Sequence, residues 1–192
     1  MSEPAPLFQV DGARQPANQT SLEELARLLG SVLGQSAAGS PSLTNGARPS
    51  WNPRRMLVCA AEPHRERLAR QLSEIGGQVF VAEDTRQAVE RMRENRLDVV
   101  LLDQDFDPVE QGAAFVTREV AVLRPAQRRR LFFMLLSPVL RTMESHAAFL
   151  HNVNAVVNIK DIDETSRVLE HSLREYNDLY QEFNVALKVT AL

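Results

Sequence analysis

The sequence holds a single cysteine, Cys59, in 192 residues. That excludes an internal disulfide framework and a cysteine-rich zinc site. Cys59 stands inside an apolar run and reads as a small buried hydrophobe. No stretch approaches the roughly 18 apolar residues that suggest a membrane span. Nor does a basic start lead into an apolar segment, so a secretory signal is not expected. The expectation is a cytoplasmic protein without membrane contact. A basic surplus is missing too, since the net charge is −3. A nucleic-acid partner is therefore not expected; Arg128-Arg129-Arg130 is a short local run that reads as a solvated helix end. The four histidines, His64, His146, His151 and His171, are scattered. His146 and His151 have the wrong spacing for one helix face, and no metal site is expected. No glycine-rich phosphate loop is found, which argues against a nucleotide enzyme.

What is present begins with a polar tail, residues 1–19, rich in proline and expected to be disordered. Residues 20–35 form an amphipathic pattern. Thr20 or Ser21 can cap a helix whose apolar face is Leu22, Leu25, Leu29, Val32 and Leu33. Residues 36–53 then shift to Ser, Ala, Gly, Pro and Asn, the composition of a flexible linker. An isolated helix of that length is marginal in water. It is expected to dock, either on its own domain or on another chain.

From Arg54 to Tyr176 strands and helices alternate. Met56–Ala60, Val79–Ala82, Val99–Asp103, Leu131–Leu136 and Ala155–Ile159 are short apolar runs. Val99–Asp103 shows no alternation, so it is expected to be buried on both faces. Between these runs lie helical patterns: from Pro63 to Ile75, from a Thr85 cap through Met92, from Gly112 to Leu123, and from Val139 to Leu150. A last long helix is expected after Asp161. Five such units imply an α/β fold: a flavodoxin-like, doubly wound, five-stranded parallel sheet of order 2-1-3-4-5, with an extended C-terminal helix. In that topology a site forms where the carboxyl ends of the first and third strands meet.

Four stretches carry a resemblance. Leu97-Asp98-Val99-Val100-Leu101-Leu102-Asp103 resembles a strand ending in a phosphoacceptor aspartate. Leu135-Leu136-Ser137 resembles one ending in a hydroxyl residue. Val157-Asn158-Ile159-Lys160 resembles one ending in a site lysine. Leu57-Val58-Cys59-Ala60-Ala61-Glu62-Pro63 resembles a first strand and its exit. Together, over about two thirds of the chain, they resemble the receiver domain of response regulators in two-component signalling. The resemblance implies Asp103 as the phosphoacceptor-like residue, with Ser137 and Lys160 beside it. It also implies an acidic pair after the first strand that holds Mg2+. Here that pair is degenerate: Ala60 and Ala61 occupy it, and only Glu62 next to them is acidic. Asp103 alone supplies too few hard oxygens for a well-held magnesium. Pro108 and Gly112 stand one residue late against the family spacing, and Asp105 and Asp107 fall inside that loop. Asp161 follows Lys160 where the family has a proline.

Two readings of Asp103 are open. It is still phosphorylated, with Glu62 or Asp105 supporting a Mg2+, or it pairs permanently with Lys160 in a pseudo-receiver. The second is preferred, with no resident cofactor, and Ser137 then caps the following helix.

Beyond the receiver-like span, residues 177–192 are expected to extend the last helix. Ile162, Leu169, Tyr176 and Phe183 are each seven apart, as are Ser166, Leu173, Tyr180 and Leu187. That is a heptad seam. Either it serves a homodimer or a protein partner, or the extra turns curl back on the domain. The leading functional expectation is a non-enzymatic signalling adaptor acting through protein–protein contacts. A phosphorylatable regulator within a phosphorelay and a structural subunit or scaffold are the alternatives. An enzyme or cofactor binder on the same fold is the weakest.

Overall fold

The computed structural model describes residues 53–94 and 96–192. The tail, the helix carrying Leu22, Leu25, Leu29 and Val32, and all of the linker but its last residue lie outside the described residues. The elements run in chain order as β1 Arg55–Cys59, α1 His64–Glu74, β2 Gln78–Ala82, α2 Thr85–Glu94, β3 Val99–Asp103 and α3 Gly112–Ala121. Then follow α4 Pro125–Arg128, β4 Phe132–Ser137, α5 Ser145–Leu150, β5 Ala155–Asn158, a 3-10 segment Ile159–Glu164, α6 Thr165–Leu179 and α7 Gln181–Leu187. The five strands form one parallel sheet of order β2-β1-β3-β4-β5, as expected.

The central strands read as continuous apolar runs because both faces are covered. Side chains alternate along each strand. Met56, Val58, Val99, Leu101, Phe132, Met134, Leu136 and Val157 therefore face one way, where Leu68 and Leu72 of α1 and Leu169 and Leu173 of α6 meet them. Leu57, Cys59, Val100, Leu102, Phe133 and Leu135 face the other way, toward Ala88 of α2 and Val116 and Val120 of α3. Each large side chain so buried stabilises the fold by about 1.5–3 kcal/mol before conformational entropy is counted. Cys59 is fully buried, and burial pushes its thiol up to about 12. It is the small hydrophobe that was expected.

Local chemistry sets the boundaries. Gly76, at φ +80, makes the left-handed turn that ends α1. Asp84 caps α2, its Oδ1 accepting from the Gln87 N–H at 2.7 Å. Thr85, expected as that cap, is instead bonded to Asp107. The helix expected over Val139–Leu150 is only α5. The preceding loop is tied to β5: Asn158 Nδ2 donates to the Leu140 carbonyl at 2.6 Å, the Asn158 N–H to Thr142 Oγ1, and the Met143 N–H to the Val156 carbonyl. A helix starting at Val139 would break those bonds. The helix α4 went unforeseen because a single turn leaves no periodicity to read.

The C-terminal helix is present but interrupted. Tyr180 takes φ −100 and ψ 9, separating α6 from α7. At Lys188 the backbone turns left-handed, at φ 52, and the chain folds back. Leu192 is buried in the core, and Asn177 clasps it with two bonds of 2.8 Å. The expected helical extension therefore stops at Leu187. The seam splits as well. Ile162, Leu169 and Leu173 are core residues of their own domain, and Tyr176 packs edge-on against Phe132 at 5.6 Å. As interface residues Leu169, Leu173 and Tyr176 are corrected, because the sheet already covers them. Tyr180 and Phe183 continue the aromatic stack, while Leu179, Val185 and Leu187 are exposed.

Candidate functional site

The parallel order brings the carboxyl ends of β1 and β3 side by side, and Asp103 closes β3 there. Asp103 is 1% exposed. A buried carboxylate is costly unless its lone pairs are met. Oδ1 accepts the Asp105 N–H at 3.0 Å. Oδ2 lies 3.3 Å from His64 Nδ1, on the first residue of α1. With its proton on Nδ1 the ring donates to Asp103.

His64 is the site residue that the sequence reading missed. The available signal was its place at the opening of the helix after strand one, beside the switch point, rather than any spacing to another histidine. Lys160 is not brought to Asp103. It is exposed on the 3-10 segment, its N–H donating to Asn158 Oδ1, and among the described residues it forms no ion pair. The expected Asp103–Lys160 pair is corrected to Asp103–His64. The reason is local: Asn158 turns the chain immediately after β5 and leaves the lysine at the surface.

The acidic support is likewise reassigned. Ala60 is buried and Ala61 offers a methyl group. Glu62 turns outward and pairs with Arg65 three residues on, at 2.5 Å. Asp105 is exposed. Asp107 is bound to α2, accepting the Thr85 N–H at 2.9 Å and the Thr85 hydroxyl at 2.5 Å. Thr85, through its hydroxyl first and its N–H second, holds the Asp107 carboxyl below the usual carboxylate range. Gly112 makes this knot possible: a Cβ there would meet Thr85 Oγ1 at 2.7 Å and Asp107 Cβ at 2.8 Å. Among the described residues no three His, Cys, Asp or Glu side chains are placed to hold a metal. A magnesium ion needs several hard oxygens, and the residues around Asp103 do not fit one.

Ser137, at the end of β4, donates to Gln104 Oε1 at 2.7 Å and accepts from the Val139 and Leu140 N–H groups. It shapes a turn, not a helix cap, since α5 begins only at Ser145. The arginine run is no solvated helix end. Arg128 donates to the Leu131 and Asn152 carbonyls and to Asn154 Oδ1. Arg129 lies over the Phe183 ring at 4.9 Å, and Arg130 donates to the Thr190 carbonyl. Arg128 thus ties α4 to the loop before β5, while Arg129 and Arg130 fasten the C-terminal segment. Among the described residues no helix is long and apolar enough to cross a membrane.

No protein-family profile matches the chain, and no curated protein matches it. Solved structures do. A signal receiver domain of an HD domain-containing protein from Pseudomonas fluorescens is 17% identical, with a TM-score of 0.51, over 66% of this chain and 98% of that one. A sensor protein from a Polaromonas species is 14% identical, also at 0.51, over 65% and 99%. These likenesses, with the strand order and the Asp103 end of β3, establish that the described domain has the fold of a response-regulator receiver domain.

Proposed function

We propose that this protein is a non-enzymatic signalling adaptor, a pseudo-receiver that works through protein–protein contacts. One observation carries the reading: the Asp103 carboxylate is engaged by His64 and the Asp105 N–H while Ala60 and Ala61 offer it no companion oxygens. Phosphoryl transfer to an aspartate requires a free attacking oxygen and a cation on the transferring group. His64 occupies the oxygen, and the side chains nearby do not supply metal ligands. The face proposed for a partner is the outer side of α6 and α7, where Leu179, Val185 and Leu187 are 76%, 57% and 55% exposed. A second copy of the chain is the partner proposed for it.

The test is incubation of the full chain with acetyl phosphate and magnesium, followed by intact mass. No stoichiometric adduct is expected. An adduct that disappears in Asp103→Asn would overturn the reading and establish the phosphorylatable alternative.

A further inference from the structure

At the end of the sheet opposite Asp103, arginines stand at or just before the starts of neighbouring strands. Arg55 opens β1, Arg96 stands two residues before Asp98, and Arg130 two before Phe132. The register puts them at one rim: Met56 is level with Val99, and Val99 with Phe132. Adjacent strands are about 4.8 Å apart, so arginines entering β1, β3 and β4 converge. The left-handed turn at Lys188 brings a fourth cation over the same rim, and the Arg130–Thr190 bond and the buried Leu192 fasten that segment. Among the described residues these four cations and one carboxylate, Asp98, line a hollow of about 420 Å³. Asp98 Oδ2 already accepts the Arg55 N–H at 3.0 Å.

Elsewhere in the domain several cations are paired, as in Arg65–Glu62, Arg67–Asp163, Arg93–Glu119 and Arg167–Glu164. Among the described residues no carboxylate pairs with Arg55, Arg96 or Lys188. In a chain of net charge −3 this is a concentrated positive field. Guanidinium forks and an ammonium match the geometry of phosphate oxygens, and the volume is that of a small-molecule site. We infer that this hollow is a binding site for a small phosphate-bearing anion, held by Arg55, Arg96 and Lys188. It lies at the far end of the strands from Asp103 and does not depend on the adaptor reading.

The test is an amide-shift NMR titration of the full chain with inorganic phosphate and, separately, phenyl phosphate, at ionic strength fixed with chloride. Saturable shifts at Arg55, Arg96, Lys188 and Thr190 are expected. Arg96→Gln with Lys188→Gln should weaken binding at least tenfold, whereas Arg174→Gln, on the exposed side of α6, should leave it unchanged. Tighter binding of phenyl phosphate would support the site and identify an ester as its ligand. Linear shifts, or equal affinity in the double variant with its spectrum otherwise native, would overturn the proposal. So would tighter binding of a short oligonucleotide through the same amides, which would mark a polynucleotide surface.

Discussion

His64 Nδ1 lies 3.3 Å from Asp103 Oδ2, joining the opening residue of α1 to the last residue of β3 across 39 positions of sequence. The contact spans the switch point of the sheet. It engages an oxygen that an acceptor aspartate needs free.

Removing His64 leaves one oxygen of the buried Asp103 carboxylate unmet, whereas His64, a quarter exposed, regains water when Asp103 is removed. His64→Ala should cost about 1–3 kcal/mol, because the buried carboxylate loses a partner, and Asp103→Ala about 1 kcal/mol for the lost hydrogen bond. In urea unfolding, the double variant should fall short of additivity by about 1–2 kcal/mol. Strict additivity would show that the two side chains are adjacent but uncoupled.

The Thr85–Asp107–Gly112 knot makes two measurable demands. Gly112→Ala should lower stability by about 1–3 kcal/mol through overpacking against Thr85, Asp107 and Phe106. Asp107 titrates below its unfolded value because Thr85 bonds its ionised form. Its contribution is therefore present above the unfolded carboxyl value of roughly 4 and is lost as pH falls through the lower folded one. Melting curves from pH 6 to pH 2.5 should show Asp107→Asn less stable at the top, with the gap closing on acidification. A gap constant with pH would refute the role given to the charge.

Tyr176 is pushed up to about 12, chiefly by burial, and its O–H donates to the Arg129 carbonyl at 3.1 Å. The folded value lies above the unfolded one of about 10. That stability is complete below pH 10 and is lost as pH rises toward 12. Tyr176→Phe should cost about 1 kcal/mol at neutral pH and flatten the alkaline fall in melting temperature. In absorbance titration at 295 nm it should delete the phenolate step near 12. Persistence of that step would assign it elsewhere.

Leu179, Val185 and Leu187 are exposed, so changing them should spare the fold. Replacing all three with glutamate should alter unfolding free energy by no more than about 0.5 kcal/mol per site. In light scattering the wild-type chain is expected as a dimer and the triple variant as a monomer. A wild-type monomer at high concentration, or a variant that still dimerises, would remove the second copy as the partner. Truncation after Glu175 is the poorer test, since it discards Tyr176 and the core residue Leu192.

The fold was legible because its signals are local or periodic. Apolar runs such as Val99–Asp103 specify buried parallel strands, and helical patterns between them impose crossovers of one hand. Together these leave few orders, and the one that fits five units, β2-β1-β3-β4-β5, is the order found. The acceptor position of Asp103 and the alanines at 60 and 61 could likewise be read directly, since each sits at a strand end.

Which side chains meet was decided only in three dimensions. The heptad from Ile162 to Leu187 has the period of a coiled coil, yet its first half is the stripe that the sheet itself requires. Periodicity records that a face is apolar, not what covers it. Lys160 has the chemistry to pair with Asp103, but the turn made by Asn158 leaves it at the surface, and His64 stands nearer. Sequence determined the residue types at each strand end. The tertiary structure alone selected the partners, because a contact depends on loop path and side-chain direction, and both are set by bonds between residues far apart in the chain.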